Sequence, residues 1–529
     1  MRVSPLSRDA ALCNIARGLQ RVAAAALVNA SVMSSSAASA TSTTRRSPDS
    51  AAAAAAASSH RAASSLSLPA NVAEDLSAPA APKDVSYRHV PSSRVARAAG
   101  FASLFLQLGW EKVAGGTPAG GLLSERGHQH IVDTLCRMRG AVLKLGQMLS
   151  IQDEQTIPPH VTALFERVRD QAFAMPPGQL DRTLAKEFGC TNWRTELFDS
   201  FDDTPVAAAS IGQVHRATLK PGVAGTDPSK PPVEVAVKVQ YPGVAQSIDS
   251  DVANLKMLLS VGVLPPGMFV DKILQELRSE LSAECRYTLE ASKQMRYREL
   301  LAGDPALSRL FYVPTVYQSI STDQVLVSEY VRGVTIDLLG KRHDIPQELR
   351  NHIAEGFMEL TLKELFVWRF MQTDPNFSNF LYNAKQQRVY LLDFGAAREY
   401  PSDFLDDYLD VVAAAAREDR ETVIAKSIKL GFLTGREVPE MLDAHCKSVL
   451  LLGAPFRDRE RPFDFAAQNL PSLIQANVPT MVKLRLRPPP TPVYSLHRRL
   501  SGTILLATKF KAAMESGRLF WDIHDAQQR

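Results

Sequence analysis

Two acidic motifs in the second half of the sequence constrain the fold of this chain more than any other feature. In QTDPNFSNFL, Asp374 and Asn379 stand in a D-x-x-x-x-N spacing, and LLDFG ends a short apolar run with Asp393. Phosphoryl transfer needs one carboxylate near the attacking group and hard oxygen ligands for magnesium. We therefore expect Asp374 to orient or deprotonate an acceptor, and Asn379 and Asp393 to hold Mg²⁺.

A strand-like stretch upstream carries a lysine suited to phosphate binding. In VEVAVKVQY every second residue is valine, so Ala236 and Lys238 face the side opposite the valines. A V-A-x-K strand supplies a lysine for nucleotide phosphates and a small residue that leaves room for adenine. The motif is weak alone, but all three motifs in this order predict an ATP and magnesium site. Further ATP contacts are expected from Glu329 and Val331, at the end of a strand signal.

The lysine should have a carboxylate partner on a helix that follows its strand. The segment ELSAECRYTLEAS, within a helical region from about Phe269 to Ala302, offers Glu280, Glu284 and Glu290. Any of the three could instead be an ordinary solvated helix charge.

The loop before the first hairpin strand departs from that of ordinary protein kinases. Where glycines would be expected, the chain has Ala207, Ala208, Ala209 and Ser210. Methyl groups restrict the backbone, so the nucleotide preference should differ. In addition, no A-P-E sequence follows Asp393 closely, and Gln372-Thr373 stands where His-Arg would precede the catalytic aspartate. Phosphorylation of proteins is therefore disfavoured.

The order of strand and helix patterns indicates the architecture. Short strand patterns begin near Leu197, and the chain becomes mostly helical after Gly333. A sheet-rich lobe joined to a helical lobe is typical of a kinase. We predict an α+β, two-lobed protein-kinase-like fold, with an N-lobe at 196–331, a helical C-lobe at 332–480 and a C-terminal tail at 481–529 packed on the C-lobe.

A helical extension is expected at 116–195. Between Gln129 and Ile151, apolar residues recur at spacings of three and four, which predicts a strong amphipathic helix. Lys144 and Gln147 share a different stripe of that helix. These two polar side chains could face a site.

The first 66 residues are rich in Arg and Ser and poor in acids, which is typical of an organellar transit peptide. A disordered low-complexity tail is the alternative. A linker at 67–90 and a short apolar helix at 91–115 follow. The apolar run AAGFASLFLQLGW is shorter than the roughly 20 residues that cross a bilayer. A helix in the membrane interface and a helix packed on the protein both remain open.

Composition excludes two other classes of protein. The formal net charge is only +4 over 529 residues, without a long basic stripe, so nucleic-acid binding is not expected. The 5 cysteines are scattered, without CxxC pairs or zinc-like spacing, which indicates a reducing compartment and no structural metal.

Taken together, these motifs resemble those of the UbiB family of atypical kinases, the aarF-domain proteins of coenzyme Q biosynthesis. The resemblance is carried by LKLGQ (the family's KxGQ motif, with Lys144, Gly146 and Gln147), the Ala-rich AAASIGQVH, VAVK, QTDPNFSNF and LLDFGAAREY. It runs from about residue 91 to the C-terminus. The KxGQ and Ala-rich features distinguish this family from other kinases.

The resemblance implies a role for further residues. Lys144 and Gln147 would come from an added helix that covers the active site and meets an ExD motif in the N-lobe. Here that motif is Glu284-Cys285-Arg286, so an arginine replaces the aspartate. On this basis Glu290 is expected to pair with Lys238, and Glu284 with Lys144.

The resemblance also implies a function. Members of the family resemble ATPases that bind ATP and Mg²⁺, act on or around lipid intermediates, and in eukaryotes sit on the matrix face of the mitochondrial inner membrane. The expected partners are coenzyme Q biosynthesis enzymes, anionic inner-membrane lipid and polyprenyl lipid intermediates, with a homodimer left open. The alternatives are a nucleotide-binding pseudokinase scaffold and, more weakly, a conventional protein kinase.

Overall fold

The structure is a computed structural model that describes residues 68, 70–77, 86–87, 173–208, 211–259 and 270–528. Several predictions concern residues outside these ranges: the transit-like segment, the apolar helix, the amphipathic helix with Lys144, Gly146 and Gln147, and the loop residues Ala209 and Ser210. The following account concerns the described residues.

The strands are short and fall mainly into two sheets. In chain order they are β1 (Ser86–Tyr87), β2 (Phe173–Ala174), β3 (Phe198–Phe201), β4 (Ala207–Ala208), β5 (Gly212–Leu219), β6 (Val233–Gln240), β7 (Phe311–Tyr312), β8 (Val325–Glu329), β9 (Val334–Thr335), β10 (Phe370–Met371), β11 (Phe380–Asn383), β12 (Arg388–Leu391), β13 (Arg398–Glu399), β14 (Phe463–Asp464) and β15 (Ala513–Met514).

Helices make up most of the second half of the chain. They are α1 (Ala70–Asp75), α2 (Pro177–Phe188), α3 (Trp193–Leu197), α4 (Val244–Leu259), α5 (Val270–Glu284), α6 (Tyr287–Ala302), α7 (Leu307–Leu310), α8 (Ile336–Lys341), α9 (Gln347–Phe366), α10 (Ser402–Ala416), α11 (Arg420–Leu430), α12 (Pro439–Gly453), α13 (Phe465–Gln468), α14 (Leu470–Gln475), α15 (Val478–Leu484), α16 (Thr491–Lys509) and α17 (Ser516–Gln527).

The N-lobe is built on an antiparallel sheet of strand order β3-β5-β6-β8, with β4 also paired to β5. The alternation in β6 places Val235, Val237 and Val239 in the core at 0% exposure. Residues on the opposite face of β6 point away from that core. Lys238 is one of them, and it lies opposite Val214 of β5 and Leu326 of β8.

The helical region predicted from about Phe269 to Ala302 is two helices rather than one. It breaks between α5 and α6 at Cys285 and Arg286, where Gln240 Nε2 donates to the Cys285 carbonyl and Tyr287 N donates to the Asp323 carbonyl. These contacts with the sheet and with the loop before β8 satisfy backbone groups that a continuous helix would bond internally. The break gives α5 and α6 separate orientations.

The C-lobe is organised around the buried helix α9. Helices α16 and α17, formed by the tail that was predicted to pack on this lobe, both contact α9. A small sheet of order β7-β12-β11-β9 also belongs to this lobe. Asn379 directly precedes β11 and Asp393 follows β12, whereas Asp374 follows β10 of the separate β10-β13 pair. Within the described part of the chain, no helix is both long enough and apolar enough to span a membrane.

Candidate active site

Lys238 of β6 and Glu290 of α6 form an ion pair. Lys238 Nζ donates to Glu290 Oε1 at 2.7 Å and to Oε2 at 2.9 Å. The Glu290 side chain is 1% exposed and that of Lys238 is 16% exposed. Of the three candidate glutamates, Glu290 is thus the one that contacts the lysine, because the break before α6 aims the first turn of that helix at β6.

The charges around Lys238 favour its protonated form. Burial alone would lower the pKa of Lys238, but the carboxylates of Asp393 and Glu290 outweigh it and hold that pKa well above its usual value. Burial raises the pKa of Glu290, to about 7, against the opposing effect of the lysine. The pair therefore places a fixed ammonium where an anionic group can be bound.

Asp393 lies on the other side of the lysine, in the turn that follows β12. Its Oδ2 is 3.6 Å from Lys238 Nζ, and its Oδ1 accepts from the backbone N–H of Gly395 at 3.0 Å. Gln372 Nε2 donates to the Asp393 carbonyl at 3.0 Å. Phe394 is fully buried against Tyr297, with ring centroids 4.9 Å apart, so the turn is anchored while its carboxylate stays partly exposed.

Asp374 and Asn379 meet in the loop after β10. Asn379 Nδ2 donates to Asp374 Oδ2 at 3.1 Å, and the backbone N–H of Asn376 donates to Oδ1 at 3.3 Å. A single turn of 3₁₀ helix, Phe377–Asn379, closes the five-residue spacing and so brings the two side chains together. Asp374 is 8% exposed. The carboxylate is thus held by neutral donors of its own loop.

Two arginines of α16 support the loop that carries Asp374. Sequence reasoning missed both of them. Arg498 Nε donates to the Thr373 carbonyl at 3.2 Å, and its Nη atoms contact the Glu280 carboxylate at 2.8 and 3.2 Å. Arg499 Nε donates to Glu364 at 3.1 Å. The only signal in the sequence was the arginine pair in YSLHRRLSG, which is a weak signal because the stretch also contains serine and histidine. Buried arginines in such a position call for buried acids.

Glu364 connects these arginines to the turn that carries Asp393. Its Oε1 accepts from the Tyr297 hydroxyl at 2.7 Å and from the backbone N–H of Gln372 at 3.0 Å. Burial raises the pKa of Glu364, and the partners Arg499 and Tyr297 oppose that shift. The buried Glu364 carboxylate therefore holds the backbone of Gln372, two residues before Asp374, in place.

The remaining predicted residues are placed around this centre. Ala207 and Ala208 form β4, on the exposed edge that leads into β5. Glu329 directs its carboxylate to the Tyr312 hydroxyl and the Thr315 N–H, so a nucleotide contact from this residue would be made by its backbone. Val331 is half-buried just after β8. Glu284 lies near the acidic turn, since a Cβ on Gly395 would be 3.2 Å from its Cγ.

The donor set fits magnesium bound together with nucleotide phosphates. Asp393 offers a partly exposed carboxylate, and Asn379 adds an amide oxygen from the neighbouring loop. No cluster of three or more His, Cys, Asp or Glu among the described residues forms a self-sufficient metal site. Mg²⁺ commonly binds through one or two carboxylates together with substrate phosphates, so the arrangement suits it.

A sheet-rich lobe that presents a glutamate-paired lysine, above a helical lobe that presents two acidic motifs, defines a protein-kinase-like protein. The model of the ABC1 atypical kinase-like domain matches residues 167–427. The chain belongs to the family of ABC1 atypical kinases that includes the mitochondrial COQ8 proteins.

Relatives in animals and fungi support this assignment. The chain is 44% identical to atypical kinase COQ8B of Danio rerio over 84% of its own length and 70% of the relative's. It is 43% identical to COQ8B of Rattus norvegicus, covering 83% and 81% of the two chains, and 41% identical to COQ8 of Saccharomyces cerevisiae, covering 82% and 85%. All three are named mitochondrial atypical kinases.

A solved structure shares the fold. The Rv3197–erythromycin complex from Mycobacterium tuberculosis aligns with a TM-score of 0.50 at 25% identity, over 75% of this chain and 95% of the other. The predicted α+β, kinase-like fold and the UbiB resemblance are therefore confirmed.

Proposed function

We propose that this protein is a magnesium-dependent ATPase of the atypical kinase type that supports coenzyme Q biosynthesis at the matrix face of the mitochondrial inner membrane. The observation that carries the proposal is the position of Lys238, which is held by Glu290 at 2.7 Å and lies 3.6 Å from Asp393. Such an arrangement binds phosphate with the lysine and metal with the aspartate. The COQ8 relatives supply the biological setting.

In the proposed mechanism the protein acts by positioning. Lys238 would bind nucleotide phosphate, and Asp393 and Asn379 would hold Mg²⁺, which would supply charge neutralisation when bound. Asp374 orients the attacking group or accepts its proton. The Ala-rich loop from Ala207 covers the phosphates, and the backbone around Glu329 and Val331 contacts the adenine.

The proposed partners follow from the family and from the chain's N-terminal third. We expect the helix with Lys144, Gly146 and Gln147 to cover the site near Glu284, which would leave little room for a protein substrate. The transit-like segment 1–66 would direct the chain to mitochondria, and the apolar segment 91–115 would contact anionic lipid. Coenzyme Q enzymes and polyprenyl intermediates are then the expected partners.

The test is magnesium-dependent phosphate release from ATP by the full chain, with and without anionic liposomes. Asp393→Asn should abolish turnover, because a neutral amide replaces a charged metal ligand. Asp199→Asn, which changes an exposed aspartate on β3, is the matched control. Turnover that rises with liposomes and vanishes only in Asp393→Asn supports the proposal. Nucleotide binding without turnover in either condition would favour the scaffold alternative instead.

A further inference from the structure

Tyr287 lies against the lysine on a side that Glu290 does not occupy. Lys238 Nζ is 4.9 Å from the centroid of the Tyr287 ring, and the residue is completely buried. Tyr287 and Glu290 are three residues apart in α6, a spacing that puts both side chains on one face of a helix. One turn of α6 therefore presents both a carboxylate and an aromatic ring to the same ammonium.

The hydroxyl end of the ring is fixed by the glycine that follows the Ala-rich loop. A Cβ on Gly212 would lie 2.8 Å from the Tyr287 hydroxyl and 2.5 Å from the Val239 carbonyl oxygen, so glycine is required for this close approach. The ring is thus confined between the end of the loop and β6. A ring confined in this way presents a fixed surface against which Lys238 packs.

Packing alone does not account for a tyrosine at this position. The hydroxyl is buried and has no hydrogen-bond partner within the described part of the chain. Burial of an unpaired hydroxyl is unfavourable, so the hydroxyl gives no reason to prefer tyrosine over phenylalanine or an aliphatic side chain here. What the aromatic ring adds is its electron-rich face, which attracts an ammonium within about 6 Å of the centroid.

We propose that Tyr287 is a positioning residue for Lys238: its ring holds the lysine ammonium at the phosphate site together with Glu290. The inference deepens the proposed function and rests on Lys238 being the phosphate-binding lysine. It predicts that the aromatic ring, and not the hydroxyl, is what nucleotide handling requires at this position.

The experiment compares the full-length parent with Tyr287→Leu, Tyr287→Phe and the control Tyr408→Leu. Tyr408 is a buried tyrosine of α10 in the C-lobe, so its loss reports on destabilisation alone. Tyr287→Leu should raise the KM for MgATP about tenfold, as expected for a partly desolvated cation–π contact, with a smaller change in kcat. Tyr287→Phe should restore KM to within about twofold of the parent. Tyr408→Leu should leave KM unchanged even where it lowers Tm.

A second measurement follows the chemical reactivity of Lys238 in the absence of nucleotide. Each protein is treated with an amine-reactive reagent at one fixed pH, and modification of Lys238 is followed by peptide mass spectrometry. Tyr287→Leu should label several-fold faster than the parent, because loss of the ring that attracts the ammonium leaves Lys238 more often as the neutral amine that reacts, whereas Tyr287→Phe should label at the parent's rate. Equal rates in all three proteins would overturn the inference, as would a phenylalanine variant as defective as the leucine variant. If the parent neither binds nor hydrolyses ATP, the proposed function fails and the labelling rates alone decide on Tyr287.

Discussion

Arg498 near the C-terminus donates a hydrogen bond from Nε to the backbone carbonyl of Thr373, the residue directly before Asp374, at 3.2 Å. The same guanidinium forms a bidentate ion pair with Glu280 of α5. Helix α5 packs against the N-lobe sheet. Arg498 is 8% exposed, so this contact is shielded from water. One side chain of the C-terminal helix thus joins the loop of Asp374 to the other lobe.

We expect Arg498→Met to lower both stability and turnover. Removal of one partner of a buried ion pair costs about 3–5 kcal/mol in free energy of unfolding, because the other charge is left buried. Turnover should also fall, since the Thr373 carbonyl loses its donor. Urea unfolding and kcat for ATP measure the two effects.

A double variant separates the two effects of Arg498. Arg498→Met combined with Glu280→Leu removes both charges and should recover most of the stability, because no unpaired charge is then buried. It should not recover kcat. If kcat returned with stability, Arg498 would act on the fold alone and not on the loop.

Gly502 makes a second contact between α16 and the loop that carries Asp374. A Cβ at this position would lie 2.2 Å from Cβ of Pro375, the residue after Asp374. Gly502→Ala should therefore displace the loop and lower kcat by about 10²-fold, the cost of a misplacement of about 1 Å, with little change in the Kd for MgATP. Ser501→Ala, on the exposed face of the same helix, is the control. A kcat like the parent's in Gly502→Ala would show that the loop carrying Asp374 can shift without an effect on turnover.

The sequence predicted those features of the candidate site that depend on local patterns. Alternating valines in β6 were enough to place Lys238 on the face opposite the core, because side chains in a strand alternate strictly. The spacing from Asp374 to Asn379 likewise predicted two side chains of one loop.

What the sequence left open depends on contacts between distant segments. Without the family resemblance, which selected Glu290, three glutamates were candidates for Lys238, because the break at Cys285 and Arg286 is made by β6 and by Asp323, neither of which belongs to the helix. Once the break between α5 and α6 is known, the partner of each of these glutamates follows. Glu280 on α5 pairs with Arg498, while Glu290 on α6 pairs with Lys238. Arg286, which stands where the family has an aspartate, lies at the exposed N-cap position of α6, and its side chain makes no hydrogen bond to the first turn of that helix.

Asp374→Asn should separate nucleotide binding from chemistry. Asparagine keeps the shape of the side chain but cannot accept a proton, and removal of a general base commonly costs about 10²–10⁴-fold in rate. The Kd for MgATP should change little, because phosphate binding is assigned to Lys238. Single-turnover hydrolysis and equilibrium nucleotide titration measure the two quantities. Asp406→Asn, at an exposed aspartate paired with Arg369, is the control. Loss of nucleotide binding in Asp374→Asn would contradict the assignment and make Asp374 a binding residue.

A buried histidine of the C-lobe should make stability depend on pH. His445 is 7% exposed, its Nε2 lies 2.9 Å from Ser427 Oγ, and burial, with a smaller effect of Arg485, lowers its pKa from 6.5 to about 4. Between these two values the unfolded chain binds a proton that the folded chain does not. The free energy of unfolding should therefore fall as the pH is lowered through this window, by up to about 3 kcal/mol from this residue, and should be insensitive to it above pH 7.

The measurement is urea unfolding at a series of pH values from 7.5 to about 4.5, the range over which a histidine of this kind titrates. His445→Gln cannot bind the proton, so its stability should decline less steeply on acidification than the parent's, whatever its stability at pH 7.5. His343→Gln changes an exposed histidine and should follow the parent's slope. Parallel declines for the parent and His445→Gln would show that His445 is protonated in the folded protein as readily as in the unfolded chain.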